Sequence, residues 1–215
     1  MTTTKLCLIR HGETAWNAER RLQGHTDIPL NAKGMLQARQ MAQALKNINL
    51  AFDFLYTSDL KRAADTAQAV VELFGVEAQV DSALRERHFG ALQGFSISEA
   101  PLQRPDIWQA HIARDLDHDL EGGESIQQFS SRVQKALDNI QMRHAGKTIL
   151  VVSHGGTLDM MYRIASKQSL GAERVASVPN ASLNWISHSQ GDGWSVGQWA
   201  DIRHLEDPAL ENVDL

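Results

Sequence analysis

The sequence predicts an α/β protein, a three-layer α/β/α sandwich built on a mostly parallel central sheet. Two observations carry that expectation. Short apolar runs alternate along the chain with longer segments of helical period. Two of these runs, Leu6-Cys7-Leu8-Ile9 and Thr148–Ser153, lack polar alternation, as strands covered on both faces do. Each delivers a histidine followed by a glycine, His11-Gly12 and His154-Gly155. At 215 residues, one core and one domain spanning 1–215 are expected.

Taken in order, the first strand ends at Arg10 and His11. Residues 14–30 are polar and turn-rich, long enough for a functional loop. Asn31 reads as a helix N-cap, with Met35, Ala38, Ala42 and Leu45 at helical spacing behind it. Residues 52–56 form the second strand. Ser58 or Asp59 then caps a helix whose apolar stripe runs from Leu60 to Phe74 and closes at Gly75. Arg62 falls in the first turn, against the helix dipole, where a surface carboxylate or a bound anion would account for it. A third strand covers 77–81, and 84–94 shows no period. Residues 95–122 contain Pro101 and Pro105 and read as a helical cover over the domain. Ser125 and Gln128 make a capping box for the next helix. The strand ending at His154 leads to a helix from Thr157. The chain closes with strands at 182–188 and 194–199, joined as a hairpin through Gln190-Gly191-Asp192-Gly193.

Composition narrows the function. The net charge is −5 and no basic stripe occurs, which argues against nucleic acid as a partner. No stretch approaches a membrane span, and Met1–Lys5 lacks an apolar signal core, so a cytoplasmic location is expected. The single cysteine, Cys7, reads as a small buried hydrophobe in a reducing compartment. Asn180-Ala181-Ser182 is read as an accidental sequon. Against an acidic background, converging arginines are informative. Arg10, His11, Arg62 and His154 should meet at one rim of the sheet and make a pocket for a phosphoryl group. A metal site is the competing reading of paired histidines, but arginines beside the ligands would repel the ion, so none is assigned.

Leu8-Ile9-Arg10-His11-Gly12-Glu13-Thr14, with Trp16-Asn17, resembles the signature of the histidine phosphatase superfamily, the phosphoglycerate mutase-like fold. Leu22-Gln23-Gly24, Ser58–Ala63, Leu84-Arg85-Glu86, Gly123-Glu124-Ser125 and Val152–Gly156 agree in the same order. The resemblance implies catalysis in two steps through a phosphohistidine. His11 would be the nucleophile. Arg10, Arg62 and His154 would hold the phosphoryl oxygens, and Glu86 would act as acid and then base. Asn17, Gln23, Gly24 and Gly155 would contact the substrate. It implies a small phosphorylated metabolite as partner and no metal or organic cofactor.

Glu86–Gly94 resembles the cofactor-dependent phosphoglycerate mutases, for which 2,3-bisphosphoglycerate would be the cofactor. Three donors of the mutase pattern are nevertheless replaced: a tyrosine by Phe89, a lysine by Ile97, and an arginine pair after Trp108 by Gln109-Ala110-His111. Hydrolysis of a small phosphomonoester is therefore the expected reaction, with mutase as the alternative. A non-catalytic phosphate-binding module is a second alternative, set against the presence of all five catalytic-type residues. His25 belongs to the entrance, and no duty is assigned to His88. His111 and His118, among Asp115, Asp117 and Asp119, read as a solvated acidic patch. Trp185, Trp194 and Trp199 read as packing or a homodimer contact.

Overall fold

The computed structural model describes residues 2–207. Its sheet has the order β3-β2-β4-β1-β5-β6. Strands β1 (Thr4–Arg10), β2 (Phe54–Thr57), β3 (Ala78–Val80) and β4 (Thr148–Ser153) run parallel, while β5 (Leu183–Ser189) and β6 (Gly193–Val196) add an antiparallel edge. The mixed six-stranded sheet with helices on both faces is the predicted architecture.

Alternate residues of the central strands point to opposite faces, and both faces are buried. Leu6 and Leu8 of β1, with Ile149 and Val151 of β4, pack against α6 (Ile126–Arg143) and α7 (Gly155–Ser166). Cys7, Ile9, Leu150 and Val152 pack on the other face against α2 (Ala32–Asn47) and α3 (Lys61–Phe74). This double burial is why those runs read as continuously apolar. A third cluster of Leu22, Phe89, Leu92, Ala100, Ile107 and Leu120 joins the entrance loop to the cover, in which α4 (Ala100–Gln103) and α5 (Pro105–Ile112) are short helices.

The caps at Asn31, Ser125–Gln128 and Gly75 are as expected, Gly75 adopting φ +67°. Three local readings are corrected. Neither Ser58 nor Asp59 caps α3 as a helix side-chain cap. Leu60 is the N-cap residue, the Lys61 amide donates instead to Asp27 Oδ1 at 2.7 Å, and Asp59 pairs with Arg85. A short helix, α1 (Ala15–Ala18), sits within the predicted loop, capped reciprocally by Thr14 and Asn17. The helix after β4 starts at Gly155, not Thr157, because low glycine propensity is overridden where a side chain has no room. A Cβ on Gly156 would collide with Glu86 Oε1. The tryptophans of the terminal hairpin are packing residues: Trp194 and Trp199 lie against the first core face, Trp185 against the second.

Strands β2, β4 and β1 end in step, Thr57 opposite Val152 and Arg10 opposite Ser153. The connection leaving β1 returns over one face through α2, and that leaving β4 returns over the other through α7. The point between them is where open α/β sheets hold ligands.

Candidate active site

His11 leaves the end of β1 buried, 2% exposed, with Nδ1 2.7 Å from the carbonyl of its neighbour Gly12. A carbonyl only accepts, so this contact places the proton on Nδ1 and the lone pair on Nε2. Burial first, then the guanidiniums of Arg62 and Arg10, hold its pKa well below 6.5. The ring is therefore neutral at pH 7, with an unshared pair on Nε2. Its peptide is braced from the far end of the chain: Asn180 Nδ2 donates to the His11 carbonyl at 3.0 Å, and Arg10 Nη1 donates to the Val178 carbonyl at 2.8 Å. The sequon at Asn180 is thus buried, 1% exposed.

His154, from the end of β4, lies with its ring centre 5.2 Å from that of His11. Its Nδ1 accepts from Arg62 Nε at 3.1 Å, and its Nε2 donates to Ser58 Oγ at 2.9 Å. Burial, Arg62, His11 and Arg10 keep it neutral. Ser58 is a site residue that the sequence showed only as a candidate cap. Arg62 answers the puzzle of a cation in a first helical turn: its Nη1 and Nη2 donate to the carbonyls of Thr26 and Gly24, at 3.0 and 2.7 Å. The entrance loop supplies the negative ends that the helix start lacks. Gly24 is required there, since it adopts φ +51° and a Cβ would strike Gln93 Oε1.

Glu86 is buried, 2% exposed, and is not the surface ion pair that its neighbours Arg85 and Arg87 could suggest. Its two oxygens accept from the backbone amides of Arg87 and Gly156, each at 2.8 Å. Gly156 stands in the first turn of α7, so the carboxyl lies at a helix N-terminus. A second ion pair holds the segment around it. Arg132 binds Glu124 at 2.6 Å and donates to the carbonyls of Ala83, Arg85 and Glu86. Glu124 also accepts from the His88 amide, which gives the Gly-Glu-Ser segment a physical role. His25 meets the Glu86 carbonyl through Nε2 at 2.8 Å and packs edge-on against His88.

At the entrance, Asn17 Oδ1 accepts from Thr14, and Gln23 Oε1 accepts from the Thr14 hydroxyl at 3.1 Å. Both side chains are thereby oriented with their amide N–H groups as what remains to offer a ligand. The Gly155 carbonyl accepts from Arg174 Nη2 at 3.0 Å. His118, Asp115 and Asp119 accept from amides of their own loop, and Asp117 accepts from the Gln127 side chain. His111 does not belong with them. It is 3% exposed, because α5 turns it inward against Phe89 and Trp108.

A model of the histidine phosphatase superfamily (branch 1) matches residues 6–202. The chain belongs to that superfamily. This histidine phosphatase is 39% identical over 205 residues to phosphoglycerate mutase-like protein 4 of Arabidopsis thaliana, covering 94% of this chain and 87% of the relative. It is 37% identical to a metal-independent phosphoserine phosphatase of the same plant, with coverage of 94% and 83%. Among solved structures, YhfR of Bacillus stearothermophilus superposes with a TM-score of 0.82 at 32% identity, over 94% of this chain and 98% of that one. The chain is thus an enzyme of this superfamily, with the fold of phosphatase chemistry. Among the described residues, no helix is long and apolar enough to cross a membrane.

Three buried histidines make stability depend on pH. His11, His154 and His111 are all held below 6.5, chiefly by burial, and His111 falls to about 3. The unfolded chain protonates them near 6.5 and the folded chain only lower. Their stability contribution is therefore complete above about pH 6.5 and declines as pH falls towards the folded values. Each histidine adds about 1.4 kcal/mol per pH unit in that window. Urea unfolding at pH 7.5, 6 and 5 should show this decline, and His111→Leu should reduce its slope by one histidine's share. Stability that is flat across the range would contradict neutral burial.

Proposed function

We propose that the enzyme hydrolyses a small phosphomonoester through a phosphohistidine at His11. The observation that carries this reading is the neutral His11 with its Nδ1 proton committed to Gly12, held neutral by burial and by the charges of Arg62 and Arg10. Nε2 attacks phosphorus while the bond to the ester oxygen breaks, and protonated Glu86 gives that oxygen its proton. Arg10 and Arg62 take the equatorial oxygens, where charge resides in the transition state. His154 joins them by exchanging Ser58 for a phosphoryl oxygen as acceptor of its Nε2–H. Asn17, Gln23, Gly24 and Gly155 line the approach. Ionised Glu86 then takes a proton from water as that water displaces His11 from phosphorus, releasing inorganic phosphate. The scheme uses no metal and no organic cofactor, and a relative named as metal-independent supports it. A cytoplasmic metabolite is the substrate we assign.

Hydrolysis is favoured over phosphoryl exchange because Phe89, buried at 3% exposure in an apolar cluster, offers no hydroxyl to hold a reorienting intermediate. Mutase activity is the second reading, favoured by three arginines (Arg87, Arg114 and Arg174) around a cavity near Glu86. Incubation with 3-phosphoglycerate and catalytic 2,3-bisphosphoglycerate separates the two. Release of free phosphate with little isomer exchange is expected. Rapid exchange with little phosphate release would overturn hydrolysis.

A further inference from the structure

The carbonyl that fixes the His11 proton belongs to a peptide unit that is itself held. His11 Nδ1 donates to the Gly12 carbonyl at 2.7 Å. The amide of that same unit, the N–H of Glu13, donates to Gln37 Oε1 at 2.8 Å. A peptide unit is planar and trans, its C=O and N–H directed oppositely, so fixing one fixes the other. Gln37 comes from α2 and is 2% exposed.

Residue 12 makes such a brace necessary. A Cβ there would collide with the carbonyl of Gly34, one turn before Gln37 in α2, so only glycine fits. Glycine, however, leaves the flanking peptide units free to rotate. Two side chains remove that freedom. Thr66 Oγ1, from α3, accepts from the Gly12 amide at 3.0 Å while donating to the Arg62 carbonyl at 2.7 Å. Gln37 holds the amide that follows. Gln37 also shows which of its ends matters. Among the described residues its buried Nε2 has no hydrogen-bond partner, and an unmet buried donor is costly. Turning the side chain over would leave the Glu13 N–H facing another donor. The acceptor end outweighs the cost, and its bond aims the Gly12 carbonyl.

We propose that Gln37 is a positioning residue for the nucleophile: by holding the 12–13 peptide it keeps the Gly12 carbonyl on Nδ1 and the His11 lone pair on Nε2. The inference rests on the phosphohistidine reading and adds to it the device that selects the reactive tautomer. Without the brace the peptide turns and the imidazole divides between its two neutral tautomers. Only the fraction with a bare Nε2 then attacks phosphorus. Thr66 serves the same end from the preceding peptide.

The test is ¹⁵N NMR of histidine-labelled enzyme, with the His11 signals identified by their loss in His11→Ala. The resting wild-type enzyme should show one neutral His11, protonated on Nδ1 and bare on Nε2. Gln37→Leu should show shifts averaged between the two tautomers. Its kcat for phosphomonoester hydrolysis should fall about 20-fold, within the range for partners that orient a functional histidine. KM should stay within about threefold, because the change acts on attack and not on binding. Gln37→Glu, whose carboxyl accepts whether ionised or protonated, should restore the single tautomer and most of the rate. Thr66→Val frees the Gly12 amide alone and should move both readouts the same way by less. It stands in for Gln37→Leu should that variant not fold. Wild-type His11 protonated on Nε2 would overturn the positioning role. So would an unchanged tautomer or an unchanged kcat in Gln37→Leu, or a Gln37→Glu enzyme no faster than Gln37→Leu. Phosphorus trapped on His11 in any of these cases would leave the phosphohistidine reading standing. Wild-type enzyme that never carries phosphorus on His11 would overturn both.

Discussion

Replacing His11 by alanine should lower kcat/KM for phosphomonoester hydrolysis by about 10⁵-fold, the scale on which a lost nucleophile acts. The side chain is a neutral imidazole close to the charges of Arg10 and Arg62, with its proton directed away, onto the Gly12 carbonyl. Nothing else in the site combines those properties, since both nitrogens of His154 are engaged by Arg62 and Ser58. The fold should survive, because β1 is held by β4, β5 and the Asn180 bond to the His11 carbonyl, none of which uses the imidazole. Steady-state phosphate release, with circular dichroism to check the fold, measures the effect. A variant that kept a tenth of wild-type activity would remove His11 from the mechanism.

Glu86→Gln should cost about 10³-fold in kcat on an alkyl phosphate, within the usual range for a lost general acid and base. The loss should depend on the leaving group. A nitrophenolate departs without a proton, so the first step on p-nitrophenyl phosphate should be affected little while water attack on the intermediate slows. A burst of nitrophenol equal to the enzyme concentration is the expected signature, read by stopped flow. The amide also has to turn its NH₂ towards the backbone amide of Arg87 or of Gly156, so a stability loss of about 1–2 kcal/mol should accompany the change. Equal slowing on both substrate types, without a burst, would assign Glu86 a structural role.

Much of the fold was legible because its signals are local. Asn31, Ser125 with Gln128, and Gly75 announce helix ends through bonds to residues a few positions away. Both histidine-bearing strands announce themselves by continuous apolar runs that the two-faced core explains. What escaped depends on contacts between distant segments. Arg62 is satisfied by Gly24, 38 residues earlier, so the strain expected of a cation at a helix start is absent for a reason no window could show. Asp27 caps α3 from the entrance loop, 34 residues away. His111 sits among polar neighbours in the chain yet faces inward, because the cover wraps its helix around Phe89. The helix α1 was missed for a local reason: its capping box closes with asparagine at the third position, where glutamate or glutamine is the usual signal.

The site residues were read in the sequence through their resemblance to a family pattern, and the roles proposed for them combine that pattern with their positions in the fold. Glu86 is the clearest case. In the sequence it stands between two arginines and reads equally well as a surface pair. In the fold Arg85 turns to Asp59, Arg87 to the Glu124 carbonyl, and Arg132 fixes the carbonyls on either side. The carboxyl accepts from two backbone amides beside the histidines' rim of the sheet.

The decisive measurement is rapid quench of the enzyme with a ³²P-labelled phosphomonoester, followed by peptide mapping. Label that is stable in alkali, labile in acid and confined to the peptide containing His11 is the predicted result. Labelled phosphate released with no protein-bound phosphorus at any time, or label carried by a different residue, would contradict the account at its root.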